Sequence, residues 1–121
     1  MSRRAERVAE AIRREASLLI KDELRDPRVG FVTVTKATIT ADLRNAVIYY
    51  TVLGDDKTKE LAKKGLQSAL RFLRMEIAHK LKLRYVPELR LRRDDTFDYA
   101  QRIDEVLKKI KDEEREDKNA E

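Results

Sequence analysis

The sequence contains no cysteine, a single histidine, two prolines and three glycines among its 121 residues. Without cysteine the chain has no disulfide framework and no thiolate metal ligand, and His79 alone gives zinc no second nitrogen. No apolar run approaches the about 20 residues that cross a bilayer. The first residues also lack the apolar stretch of a signal peptide. These absences predict a soluble, cytoplasmic protein with no metal, no cofactor and no membrane partner.

Sequence motifs for catalysis on phosphates or acyl groups are absent as well. The chain has no glycine-rich phosphate-binding loop and no Gly-x-Ser-x-Gly elbow. Its serines have no histidine suited to activating them. We therefore expect a protein that is not an enzyme and has no small-molecule substrate.

Charge is abundant and unevenly distributed. Charged residues make up 42% of the chain, against about 25% in an average soluble protein. Residues 57–93 hold twelve lysines and arginines against three acids, so this segment carries +9 while the whole chain carries +5. Residues 94–121 carry −5. A segregated positive segment attracts polyanions, and we expect a nucleic-acid partner.

Apolar periodicity and turn residues predict the elements of the first half. Residues 3–24 have the three- and four-residue spacing of a helix, which ends before Pro27. Two runs rich in β-branched residues, 31–40 and 46–53, predict strands joined as an antiparallel hairpin. Asp56 is the predicted N-cap of the helix that follows.

The second half predicts a helix, or a bent pair of helices, over 57–83, a strand over 88–93 and a last helix over 98–111. The fold class is therefore α+β, with helices burying one face of a three-stranded sheet. Residues 1–111 form the expected single domain. Residues 112–121 carry no apolar side chain larger than alanine, and we expect an acidic, disordered tail.

Three strings of the sequence form a recognisable series. They are Leu24-Arg25-Asp26-Pro27-Arg28 with Phe31-Val32-Thr33-Val34, the hairpin end Tyr49-Tyr50-Thr51-Val52-Leu53-Gly54, and Leu81-Lys82-Leu83-Arg84-Tyr85-Val86-Pro87-Glu88-Leu89. In order and spacing these strings resemble the ribosome-binding factor A family, and the resemblance spans about residues 3–111. The resemblance implies a single type II KH-like domain of order α-β-β-α-kink-α-β-α. It also implies a non-catalytic maturation factor, associated with cold adaptation, that binds the free immature small (30S) ribosomal subunit and supports late processing of 16S rRNA. The implied partners are this subunit and its precursor rRNA, and we expect a monomer.

One position departs from the resembled family. Ordinary KH domains clamp RNA with a Gly-x-x-Gly loop, and no two of the three glycines have that spacing. The family has an Ala-x-Gly kink between its central helices instead. The matching residues here are Ala69, Leu70 and Arg71, so an arginine stands where glycine is usual. We expect a shallower bend and an added positive charge at this kink.

The candidate RNA-binding residues lie opposite a predicted apolar face or beside a turn. They are Lys64, Arg71, Arg74, Lys80, Lys82, Arg84, Arg90 and Arg92. Phosphate contacts give affinity and salt dependence but little sequence choice. We therefore expect recognition of rRNA shape, although solvated helix and strand faces explain the same pattern.

Two other functions stay open. A metal-dependent ribonuclease would use Asp94, Asp95 and Asp98, although a turn followed by a helix N-terminus explains these acids more simply. The other alternative is a general KH-type nucleic-acid-binding module that is not specific for ribosomes.

The aromatic residues of the hairpin also allow two interpretations. Phe31, Tyr49 and Tyr50 are of the type that stacks on bases. Such residues on a hairpin more often pack in the core or on the sheet, and we favour packing.

Overall fold

Helix α1 spans Arg3–Leu18 in the structure, a computed structural model that describes residues 2–95, 104 and 106–114. The Ser2 hydroxyl caps α1 by accepting a hydrogen bond from the Ala5 amide at 3.1 Å. A π-helical turn over Leu19–Glu23 continues it, and the Leu24 amide donates to the Leu19 carbonyl at 3.0 Å. The helix predicted over 3–24 is thus confirmed, with a wider last turn.

Three strands form one sheet in the order β1-β2-β3. They are β1 (Val32–Ile39), β2 (Asn45–Val52) and β3 (Glu88–Arg93). The predicted hairpin of β1 and β2 is antiparallel, with a bulge between Val34 and Lys36. Strand β3 pairs parallel to β2, so the chain crosses between them through helices rather than through a tight turn.

Two helices make this crossing, α2 (Asp56–Ser68) and α3 (Leu70–Lys80). The predicted N-cap of α2 was wrong by one residue. Asp55 has the extended backbone that a cap requires, and its carboxylate accepts from the Thr58 amide at 2.8 Å, whereas Asp56 is already helical.

The core lies on one side of the sheet. On β2, Ala46, Ile48, Tyr50 and Val52 are buried, while the residues between them are partly exposed on the other side. Helices α1, α2 and α3 all contact the strands. Their largest fully buried side chains are Ile12, Leu66, Leu73 and Ile77. Because each such side chain contributes about 1.5–3 kcal/mol when buried, this layer of contacts fixes the helices on one face.

The structure describes only part of the predicted last helix. Residues 104 and 106–114 are helical, past the predicted end at 111. Val106, Leu107 and Ile110 remain about half exposed, so they do not join the core. Tyr99 and Ile103 of the predicted apolar face, and residues 115–121 of the predicted tail, lie outside the described residues. Within the described part of the chain, no helix is long and apolar enough to cross a membrane.

Replacing Gly54 by alanine will destabilise the fold more than the same change at Gly30. Gly54 has φ +145°, and a Cβ there would lie 2.7 Å from Thr58 Cγ2. Gly30 has φ +56° with nothing within 4 Å. We expect losses in the free energy of unfolding of about 2 kcal/mol or more for Gly54→Ala and about 1 kcal/mol for Gly30→Ala. Equal losses in urea denaturation would contradict a steric cause at Gly54.

The cap of α2 will make stability depend on acid pH. Hydrogen bonds from Thr58 hold the pKa of the Asp55 carboxyl below its ordinary value of 3.8. Because this pKa is lower in the folded protein than in the unfolded chain, the ionised carboxylate adds to the free energy of unfolding. That contribution is complete above pH 3.8 and is lost as the pH falls through the pKa of the folded protein. Asp55→Asn keeps an acceptor oxygen but does not titrate. We expect the stability gap between protein and variant to narrow from neutral pH to about pH 2 in urea denaturation. A constant gap would show that this carboxylate does not titrate differently on folding.

Candidate nucleic-acid interface

The helical run over 57–83 is broken at Ala69, the first residue of the predicted kink. Ala69 has ψ −2°, and its amide donates to the carbonyls of Gly65 (3.2 Å) and Leu66 (3.1 Å). Leu70 is already the first residue of α3, and Arg71 follows it. The α-helical run is therefore interrupted at Ala69 without a glycine at position 71.

The loop before β1 contacts the end of α2 next to this break. The Arg28 guanidinium pairs with Asp26 at 2.6 Å and donates to the Ser68 hydroxyl at 3.3 Å. Gly65 lets the loop approach closely, since a Cβ there would lie 2.9 Å from Val29 Cγ2. The end of α2 is thus positioned by contacts that sequence patterns did not indicate.

Two candidate cations flank the break, Lys64 on α2 and Arg71 on α3, and we call the surface that they present the kink surface. Both are exposed. Arg71 lines a shallow depression of about 430 Å³ together with Gln67, Ser68 and Met75. Neither cation forms an ion pair with a described carboxylate. They are therefore available to an external anion.

Arg74 has a different role from its neighbour Arg71. Its Nε donates to the Pro87 carbonyl at 3.0 Å, and its Nη2 pairs with the Glu88 carboxylate at 2.9 Å. The side chain is 28% exposed. Arg74 therefore joins α3 to the start of β3, and much of its hydrogen-bonding capacity is already used within the fold.

Three candidate cations lie at or beyond the C-terminal end of α3, opposite the kink. Lys80 is 3.9 Å from Glu23, a weak and exposed pair. Lys82 and Arg84 are exposed in the connection to β3, and the Arg84 guanidinium lies 5.5 Å from the centre of the Tyr85 ring. Lys82 and Arg84 share no ion pair with any carboxylate in the described ranges.

Arg90 and Arg92 lie on the side of the sheet away from the helices, which we call the outer sheet face. They are paired in register with Val47 and Tyr49 of β2, whose side chains point to the same side. Lys36 of β1 is the register partner of Tyr49, and its Nζ lies 5.8 Å from the centre of the Tyr49 ring. The eight predicted cations are thus divided between two layers and do not share one surface.

The three hairpin aromatics have three different environments. Tyr50 is buried, as packing predicts, and burial raises the pKa of its hydroxyl. Tyr49 is half buried on the outer sheet face. Phe31 is 78% exposed, so packing was the wrong interpretation for this residue.

Among the described residues, the acids proposed for metal-dependent cleavage do not form a cluster. The Asp95 carboxylate accepts from Arg93 Nε at 2.9 Å, and the Asp94 amide donates to the Tyr50 carbonyl at 2.7 Å. Asp98 lies outside the described residues. Among the described residues, no group of three or more acidic or histidine side chains is arranged to hold a metal ion.

The tertiary structure also adds candidate RNA-binding residues that sequence analysis missed. Arg4 at the start of α1, Arg44 of the hairpin turn and Tyr85 meet near Lys82 and Arg84. They come from segments far apart in the sequence, so no local pattern signals their proximity.

Comparison with known proteins identifies the family. The family described as Ribosome-binding factor A matches residues 4–107. The chain belongs to this family. A ribosome-binding factor A from Geobacter sulfurreducens is 46% identical over 117 residues, which cover 97% of this chain and 99% of the relative.

Solved structures of the family share the fold. The Thermotoga maritima solution structure, described as a putative ribosome binding factor A, has 29% identity and a TM-score of 0.65, covering 75% of this chain and 87% of that chain. A Thermus thermophilus homology model, fitted into the cryo-EM map of a 30S complex with ribosome binding factor A, has 21% identity and a TM-score of 0.59. The match covers 78% of this chain and 96% of that one. The predicted family and fold class are confirmed.

Replacing Arg74 will lower the stability of the fold more than replacing Arg71. Arg74→Gln removes the hydrogen bonds to Pro87 and Glu88, and we expect it to lower the free energy of unfolding by about 1–2 kcal/mol. The matched control Arg71→Gln, on an exposed residue of the same helix, will change it by less than about 0.5 kcal/mol. Denaturant unfolding of both variants measures this, and equal stabilities would remove the structural role of Arg74.

Proposed function

We propose that this chain is an RNA-binding maturation factor that associates with the free immature small ribosomal subunit and supports late processing of 16S rRNA. The observation that carries the proposal is family membership over nearly the full chain, with 46% identity to a ribosome-binding factor A. The family member fitted into a 30S complex supplies the specific partner. We also propose that the protein acts as a monomer in the cytoplasm.

The kink surface is the proposed principal RNA contact. It presents Lys64 and Arg71 without competing carboxylates among the described residues. Arg71 offers a planar guanidinium that reaches phosphates and stacks on bases. It thereby supplies charge at the place where the family has glycine, and we propose that charge replaces close backbone approach in this chain.

Five further predicted cations are proposed as additional RNA contacts away from this surface. Lys80, Lys82 and Arg84 lie at and beyond the far end of α3. Arg90 and Arg92 lie on the outer sheet face. Cations on two sides of the molecule therefore suit a partner whose RNA phosphates contact the protein on more than one side.

In the proposed role, the protein supports rRNA processing without catalysing it. A factor that binds precursor rRNA changes which conformations nucleases reach, and this needs no nucleophile or metal of its own. The Asp95 carboxylate is paired with the Arg93 guanidinium at 2.9 Å, and this ion pair accounts for Asp95 without a metal ion. The general nucleic-acid-binding alternative is less favoured, since the family resemblance covers the whole folded unit.

Association with small subunits will fall steeply with salt and with removal of kink-surface charge. We expect the protein to sediment with free small subunits. Lys64→Glu and Arg71→Glu should each leave one RNA phosphate without its cation, and each should therefore reduce the slope of log affinity against log salt by about 1. Both changes are at exposed positions, so the melting temperature should stay unchanged. The measurement is sedimentation over a series of salt concentrations.

Three outcomes would contradict the proposal. Equal distribution over translating ribosomes would remove the link to maturation. An unchanged salt slope in both variants would remove the kink surface from the contact. Cleavage of precursor RNA by the purified protein with Mg²⁺, abolished by Asp95→Ala, would replace the proposal with the ribonuclease alternative.

A further inference from the structure

A cleft lies at the end of the molecule where three segments meet. The start of α1, the turn between β1 and β2, and the connection after α3 enclose about 480 Å³. Its lining includes Arg4, Val8, Leu43, Lys82 and Tyr85. Pockets of roughly 300–1,000 Å³ accommodate small ligands, so this volume is sufficient for a single nucleotide. We call it the end cleft.

The end cleft is positively charged. Arg4, Lys82 and Arg84 line it, and none of them pairs with a carboxylate within the described residues. Asp42 is the acid in the lining, and it is occupied: it accepts from the Thr40 hydroxyl at 2.6 Å and from the Arg44 amide at 3.1 Å. The Thr40 hydrogen bond keeps the pKa of Asp42 low. The net field in the cleft therefore attracts an anion.

An aromatic ring with two guanidinium neighbours borders the same space. The Arg44 and Arg84 guanidinium carbons lie 4.8 Å and 5.5 Å from the centre of the Tyr85 ring. The ring is half exposed. Arginine planes held against an aromatic ring keep their N–H edges free for phosphate, and both groups offer flat surfaces on which a base stacks.

The walls of the end cleft have an unusual backbone. Leu43 has φ 61° and Lys82 has φ 51°, which is uncommon for residues other than glycine. The Leu43 amide donates to the Thr40 carbonyl at 2.9 Å, and the Lys82 amide donates to the His79 carbonyl at 3.2 Å. Such strained positions concentrate at ligand sites, where surrounding hydrogen bonds hold the loops in one shape.

We propose that the end cleft binds one unstacked nucleotide of single-stranded RNA. The inference rests on the proposed function in assuming that the partner is RNA. The phosphate lies among Arg4, Lys82 and Arg84, and the base lies against Tyr85 and the apolar floor at Leu43. An A-form duplex keeps its base faces stacked inside, so it cannot make the second contact.

This site is separate from the kink surface. Arg71 is the second residue of α3 and Lys82 lies two residues past its end, so the two are eleven positions apart in the sequence. At 1.5 Å per residue this is roughly 16 Å. A ligand that fills one site therefore leaves the other accessible.

The test is an NMR titration of the full chain with a short single-stranded oligouridylate and with a blunt RNA duplex of the same length. The oligouridylate is expected to shift the amides of Leu43, Lys82 and Tyr85, and the duplex is expected to leave them in place. Tyr85→Leu should weaken oligouridylate binding about fivefold or more. Arg14→Gln removes an exposed α1 arginine that forms no ion pair within the described ranges, and it should leave that binding unchanged.

The outcomes separate this inference from the proposed function. Shifts confined to α2 and the start of α3, equal shifts with the duplex, or equal weakening by Tyr85→Leu and Arg14→Gln would each overturn the end cleft as a nucleotide site. Sedimentation of the unaltered chain with small subunits is scored independently. If it sediments while the oligouridylate leaves the cleft amides in place, only the inference fails.

Discussion

Burial on a single face of the sheet is the constraint on which the rest of this structure depends. Strand β2 buries Ala46, Ile48, Tyr50 and Val52, and its alternate residues point away from the helices. Because β-strand side chains alternate, a sheet with one apolar face accepts one layer of helices. Helices α1, α2 and α3 must therefore share that layer. The opposite face keeps its polar and aromatic side chains open to solvent.

This constraint determines which cations share a surface. The segment 57–93 carries +9 in sequence, yet it runs through the helical layer and then through the last strand. Lys64 and Arg71 consequently face away from the sheet, and Arg90 and Arg92 lie on the outer sheet face. A charge run that is continuous in sequence becomes divided in space, and RNA that reaches all of it must pass around the sheet edge.

Cations of the same type also acquire different roles from their surroundings. Arg74 bridges α3 and β3 through Pro87 and Glu88, and Arg28 bridges Asp26 and Ser68. Both arginines fix the geometry around the kink, while Arg71 remains exposed. Periodicity places all exposed arginines on a polar side and does not distinguish a guanidinium with a carbonyl partner from one without. The difference depends on what packs opposite each side chain.

The sequence by itself determined the elements and the family. Apolar spacing, β-branched runs and turn residues are local properties, so they predicted the first helix, the hairpin and β3 closely, and the helical run as one helix or a bent pair ending three residues too late. Only the tertiary structure decided the parallel pairing of β3 with β2, the separation of Arg90 from Arg71 and the meeting of Arg4, Arg44 and Tyr85 at one end. These are contacts between segments distant along the chain, and they are set by how helices and strands pack together rather than by any neighbouring residues.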